Sequence, residues 1–162
     1  MLQRERIMAI SCLQGGQAIA RLSKGTKTNL EIQKILYFAS MLYIGGNGNR
    51  EPLIESKFLT WRFGPAVRKL YDHIKEYGNS SIPVEAFSEI ISIMDDENNA
   101  EKGCEKEVKI IKEAYDRWGA FSAYKLVQIS HWSKGAWRAS LDSGQREIDD
   151  VLIWEEYRAR YG

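Results

Sequence analysis

TNLEIQKILYFASMLYIGG, residues 28–46, sets the fold class. Thr28 followed three residues later by Glu31 is a capping-box pair, the local signature of a helix start. Ile32, Ile35, Leu36, Ala39 and Leu42 then recur at i, i+3, i+4, i+7 and i+10, which is one continuous helical face. Tyr37, Phe38, Met41 and Tyr43 make the remaining faces apolar too. A helix that is apolar nearly all round is buried among others rather than laid on a surface. Gly45-Gly46 stops it, and GGNGNREP (45–52) is a turn-rich loop. The chain is therefore built around one central helix.

Working outward, WRFGPAVRKLYDHIKEYG (61–78) is the next strong signal. Pro65 suits a first helical turn, where its missing N–H costs nothing. Val67, Leu70, Tyr71 and Ile74 share a face, and Gly78 suits the position past the end, so a helix is predicted over 65–77. The preceding KFLTWRF alternates, as a short strand or an extended lead-in would. Residues 79–103 carry a poor signal: a β-branched run after Pro83 and an acidic turn at Asn98-Asn99 suggest a small hairpin or an irregular excursion. Cys104, Val108, Ile111, Tyr115 and Trp118 form a narrow apolar seam on a charged helix that Gly119 ends. Ser122 is placed to cap a short helix over 123–130. SHWSKGAWRASL (130–141) gives another short helical piece. The last helix has Asp149 and Asp150 early and Arg158 and Arg160 late, the order a helix dipole favours. The expectation is a mainly α, single compact helical domain over 1–162, with a small β-hairpin or short strands around 55–63 and 82–94.

The bulk composition agrees. With 162 residues and 44% hydrophobic content, the chain suits one domain with a sizeable core. A net charge of +1 gives no reason to expect a polyanion partner, and the composition is far from that of a disordered chain. The charge is uneven, however. Residues 1–50 hold seven Lys/Arg against two Asp/Glu, whereas residues 85–117 hold five against ten. Such a layout fits ordinary solvated faces, or an electrostatically polar surface that orients a protein partner. Cys12 and Cys104 stand alone, which fits a reducing interior rather than a disulfide framework. No apolar run is long enough for a membrane span. MLQRERIMAISCLQGG is too short and interrupted for a secretory signal, so a cytoplasmic location is expected; Met8 is an alternative start.

Catalytic constellations are missing from the pattern. His73, His131, Cys12 and Cys104 are singletons without metal-ligand spacing. Ser130 and His131 are neighbours, which on a helix point about 100° apart and cannot form a Ser–His hydrogen bond. Asp95-Asp96, Asp149-Asp150 and Glu155-Glu156 sit where helix ends or loops want them. GGNGNR lacks the phosphate-loop lysine. Neither an enzyme nor a cofactor is expected. Arg21, Lys24, Lys27 and Lys34 cluster near the first helix but without a recognition helix, so nucleic acid is an unlikely partner. What stands out is aromatic. Trp118, Trp132, Trp137 and Trp154 are four of the five tryptophans and fall in the last 45 residues. Trp118 is expected in the core, Trp132 or Trp137 at a surface groove. His131 reads more readily as a core histidine with a satisfied N–H than as a ligand.

Three blocks, in order, resemble the Panacea-domain family, the SocA-like proteins of bacteria and their phages. Ile32, Gln33, Lys34, Ile35, Leu36 and Tyr37 are similar to its Leu-Gln-Lys-Leu-Leu-Tyr helix. Trp61, Gly64 and Pro65, with Leu70 and Tyr71 following, are similar to its Trp-x-x-Gly-Pro-Val segment. Leu126, Ile129, Ser130, His131 and Trp137 are similar to its Leu-x-x-Leu-Ser/Thr-His block and the Pro-Trp pair beyond it. The blocks lie within 30–140. The chain departs at Ala66, where the family has Val, and at Ala136, where it has Pro.

The resemblance implies a mainly helical, non-enzymatic antitoxin that neutralises a protein toxin encoded beside it by direct contact. In one branch it implies a proteolytic adaptor delivering the toxin to an AAA+ protease. The alternative is a nucleic-acid-binding or phage-encoded regulator that uses the basic N-terminal third. The residues marked for partner binding are Gln33, Lys34, Tyr37, Trp61, Gly64, Pro65, Tyr71, His131, Trp132 and Trp137. Trp61-Arg-Phe-Gly-Pro is expected to form a joint that packs with SHWSKGAW beside the central helix and supports a partner groove. On that reading Trp61→Ala costs several kcal/mol, on the order of an aromatic core truncation. His131→Ala instead weakens binding with little unfolding.

Overall fold

The computed structural model describes residues 9–46 and 50–162. Met8, Arg4 and Arg6 of the basic opening and the tip of the 45–52 loop lie outside the described residues. The central helix is as expected. α2 (Asn29–Gly46) buries residues on every face, and its capping box is formed: Glu31 Oε1 accepts from the Thr28 backbone N–H at 2.9 Å, and the Glu31 N–H donates to Thr28 Oγ1 at 3.2 Å. Helices α1, α4, α5 and α7 and the hairpin all pack against it. Around Tyr37 and Phe38 the core is aromatic, with Phe58 edge-on to Tyr37 and Trp118 stacked on Phe38 at 4.7 Å.

One helix escaped the sequence reading. α1 (Cys12–Ser23) begins at a second capping box, with the Gln14 N–H donating to Ser11 Oγ at 3.0 Å and the Ser11 N–H to Gln14 Oε1 at 2.9 Å. Gly15-Gly16 looks like a breaker but is a contact face. A Cβ on Gly15 would come within 2.7 Å of Leu36 Cδ1, and one on Gly16 within 2.8 Å of Leu70 Cδ1 and 3.2 Å of Phe87 Cζ. The missing side chains let α1 close on α2 and α3, and packing outweighs the helix cost of glycine.

The strand expectation is half met. β1 (Leu59–Trp61) pairs antiparallel with β2 (Gly64–Ala66), with Arg62-Phe63 at the tip. β1's other edge is covered, since the Thr60 N–H donates to the Arg146 carbonyl at 3.0 Å and the Ile148 N–H to the Phe58 carbonyl at 2.8 Å. The helix predicted over 65–77 is corrected by the same hairpin. Pro65 lies in β2, α3 covers only Arg68–Ile74, and a 3-10 turn, Lys75–Tyr77, ends it. Fixed φ suits a strand as well as a first turn, and pairing with Thr60 decides for the strand.

No strand pair forms over 82–94. Pro83 precedes a 3-10 turn (Val84–Phe87), and Ile82, Phe87, Ile93 and Met94 plug the core from irregular backbone. A single antiparallel bridge, Met94 to Ala100, closes the acidic turn. The remaining helices are α4 (Glu105–Trp118), α5 (Ala123–Ser130), α6 (Ala136–Asp142) and α7 (Asp150–Tyr161). Ser122 and Asp149 cap α5 and α7, the first accepting from the Lys125 N–H and the second from that of Val151. The fold is mainly α. No helix among the described residues is long and apolar enough to cross a membrane.

Candidate partner-binding site

Gln33 and Lys34, consecutive on α2, hold the hairpin from below. Gln33 Oε1 accepts from the Val67 N–H at 2.8 Å, and Nε2 donates to the Val67 carbonyl at 3.2 Å. This amide reads both backbone groups of the residue that opens α3, which has no side-chain cap of its own. Lys34 Nζ donates to the Pro65 carbonyl at 2.8 Å. The lysine is 1% exposed and has no ion pair among the described residues, and burial pushes its pKa down to about 7. Gly64 is required twice. Its φ is +103°, and a Cβ there would collide with Ser130 Oγ and approach Lys34 Cε to 2.9 Å.

The α5–α6 block closes on the hairpin from the other side. Trp137 Nε1 donates to the Trp61 carbonyl at 2.8 Å, and the His131 ring stacks on Trp137 at 3.9 Å and 7°. Ser130 Oγ donates to the Val127 carbonyl at 2.8 Å and takes no part in a Ser–His pair. His131 is half-buried; its ring has a backbone partner at Arg62, and its Nε2 is buried with no partner among the described residues. Burial, then Arg138 and Lys34, lower its pKa, while a backbone interaction with Arg62 acts the other way.

A third element, α7, locks the block in place. Glu156, 1% exposed, accepts at Oε1 from the Tyr37 hydroxyl at 2.6 Å and from the Ala136 N–H at 3.0 Å. The second contact caps α6, whose N-cap is the side-chain-free Gly135. Arg160 reaches Glu156 Oε2 with Nε at 2.9 Å and Nη2 at 2.7 Å. It also donates to the Ile129 carbonyl at 3.0 Å and lies over the Trp132 ring at 4.4 Å. Burial and the adjacent carboxylate push the Tyr37 hydroxyl well above its usual pKa.

The ten marked residues thus fall into one neighbourhood in different roles. Gln33, Lys34, Tyr37, Gly64, Pro65 and Trp137 are buried supports. Trp61 is half-buried, edge-on to Tyr71 at 5.2 Å, and Tyr71 is 39% exposed. Trp132 is half-buried under Arg160, so it and not Trp137 lies toward the surface. Sequence reasoning missed Glu156 and Arg160, which read as ordinary charges of an exposed helix. It also missed Phe63, 57% exposed at the hairpin tip. The basic cluster proposed for nucleic acid is taken apart: Lys34 is buried and Arg21 pairs with Asp96.

Comparison with known proteins identifies the family the chain resembles. The family described as "Antitoxin SocA-like, Panacea domain" matches residues 32–138. A curated relative, Antitoxin SocA of Caulobacter vibrioides, is 29% identical over 139 residues, covering 77% of this chain and 69% of the relative. No solved structure matches the chain. The matched region runs from the first turn of α2 through the hairpin and α5 into the start of α6, and stops before α7.

Proposed function

This chain belongs to the antitoxin SocA-like, Panacea-domain family, and on that premise we propose that it is an antitoxin that neutralises a protein toxin encoded nearby through stoichiometric contact. The contact surface is the hairpin tip with the start of α3 and the α5–α6 block. One observation carries the placement: Phe63 and Tyr71 are 57% and 39% exposed on backbone fixed by buried bonds from Gln33, Lys34 and Trp137. Large aromatics presented on a rigid base lose little entropy on docking and are the usual anchors of an interface. The ten family-motif residues act in this reading as anchors or as the support beneath them. None is assigned a catalytic role.

The test is co-expression with the product of the adjacent reading frame. Growth arrest by that product alone, relief by this chain and a co-eluting complex of fixed stoichiometry are the expected results. Relief without a complex would overturn direct neutralisation. The adaptor form of the proposal adds delivery to an AAA+ protease. It requires the toxin's half-life to shorten when this chain is present, and pulse-chase in protease-deficient cells reads that directly.

A further inference from the structure

The rings around the hairpin tip are covered by guanidinium groups. Arg62 lies over Phe63 at 5.4 Å, Arg68 over Trp61 at 5.0 Å and Arg138 over Trp137 at 5.0 Å. The three rings are physically linked, since Phe63 is two residues from Trp61 and Trp137 Nε1 bonds the Trp61 carbonyl. Guanidinium planes resting on aromatic faces are held in place while their N–H edges stay free to fork onto carboxylates. Arg62 forms no ion pair among the described residues. Among the described residues Arg68 and Arg138 pair with Asp72 at 4.0 Å and Asp142 at 3.6 Å, exposed pairs within their own helices that a better acceptor displaces at little cost. Burial is the main influence holding the His131 imidazole neutral, and Arg138 and Lys34 add to it.

We propose, resting on the toxin-neutralising reading above, that this face docks an acidic, aromatic- or aliphatic-bearing segment of the toxin. Its carboxylates bridge Arg62, Arg68 and Arg138, and its apolar side chain packs against Phe63 and Tyr71. The positive character is local, because the whole chain carries only +1 and its acidic excess sits in residues 85–117. That layout steers one segment onto one face rather than drawing in a long polyanion.

The experiment measures binding of the purified adjacent-frame protein to the full chain and to Arg62→Glu, Arg68→Glu and Arg138→Glu, singly and together. Melting temperatures are checked for each. Phe63→Ser, at an exposed tip, is a variant that leaves the core untouched, and Lys109→Glu on the exposed side of α4 controls for net charge. Each reversal is expected to weaken binding about tenfold, mainly through the association rate, and Lys109→Glu to leave it unchanged. Added salt should mimic the reversals. Replacing the responsible Asp or Glu of the toxin with Lys should restore binding to the triple reversal. Full binding by the triple reversal and by Phe63→Ser would overturn the surface but keep neutralisation. No binding by the unmodified chain would overturn both. If the same reversals instead abolish binding of a labelled single-stranded RNA, the occupant is nucleic acid and the acidic-segment proposal fails. It fails too if they abolish self-association measured by light scattering, because the occupant is then a second copy.

Discussion

Lys34 and Glu156 are both charged residues, both 1% exposed, and both reached from α2: Lys34 stands on it, and Glu156 grips Tyr37 one turn further along. Their surroundings are opposite. Glu156 accepts three hydrogen bonds, from a phenol, a backbone N–H and the Arg160 Nε, and has the guanidinium Nη2 beside it at 2.7 Å. Lys34 has one backbone carbonyl and no counter-charge. A buried ion is stable when its partners replace the water it lost, and it gives up its charge when they do not. The carboxylate is accordingly a fixed clasp on the α5–α6 block. The amine is a hairpin support whose proton is loosely held at neutral pH.

The largest expected effect tests the clasp. Glu156→Ala strands the Tyr37 hydroxyl, the Ala136 N–H and Arg160, and should cost about 3–5 kcal/mol in urea unfolding. Glu156→Gln keeps the shape but not the charge and should cost less. A loss under about 1 kcal/mol for the alanine variant would break the comparison, because the carboxylate would then be no better placed than a surface group.

The hairpin side spreads its support over more groups. Trp61→Ala is expected to cost about 2 kcal/mol, below a full core truncation, because the ring is half-exposed and its partner Tyr71 faces solvent. Thermal melts read it beside Glu156→Ala. A loss equal to that of the clasp variant would mean that the joint, not α7, governs the block.

The same contrast explains how far the sequence could be read. α2, α4 and α5 were legible because their signals are local: a capping box, an apolar seam, a capping serine. The packing of Trp61 with the SHWSKGAW block was an expectation set beside the family resemblance, and a Trp137–Trp61 bond joins the two. α1 was hidden by Gly15-Gly16, whose purpose is visible only once Leu36 and Leu70 are opposite. Pro65 satisfied a strand and a helix start equally, and only the partner strand chose. Glu156 was beyond reach for a different reason. Its bond to Tyr37 spans 119 residues, and its i,i+4 spacing to Arg160 is the spacing of an exposed ion pair.

Lys34 makes the next prediction one of pH. Its folded pKa of about 7 lies below the ordinary 10.5, so between those values the unfolded chain holds the proton more tightly. Stability therefore rises with pH in that window, and the burial penalty is present in full below it. From pH 7 to about 8.5 the gain is roughly 1–2 kcal/mol. Cys12 and Tyr43, raised above 9.0 and to about 12, act in the opposite direction only at higher pH. Urea titrations on Lys34→Met should lack the rise. An identical rise in the variant would remove Lys34 as its source.

The smallest effect sharpens the comparison at its midpoint, His131, which is stacked against Trp137 and has a buried Nε2 without a partner. His131→Phe keeps the stack, deletes the unpaired nitrogen and gives up the backbone interaction with Arg62. The two changes offset, so stability at pH 7 should shift by about 1 kcal/mol or less. The acid side should change more clearly. A folded pKa below the ordinary 6.5 means that protons favour the unfolded chain as pH falls past that value, so His131 loses stability for the fold there. His131→Phe should flatten that part of the decline in urea titrations between about pH 5 and 6.5. If the variant declines as steeply as the parent, the His131 imidazole is not the group whose protonation burial, Arg138 and Lys34 oppose. If it flattens the acid arm and also weakens toxin binding while its melt is unchanged, the ring belongs to the contact surface and not to its support. That outcome would place the boundary between clasp and docking face at the His131–Trp137 stack.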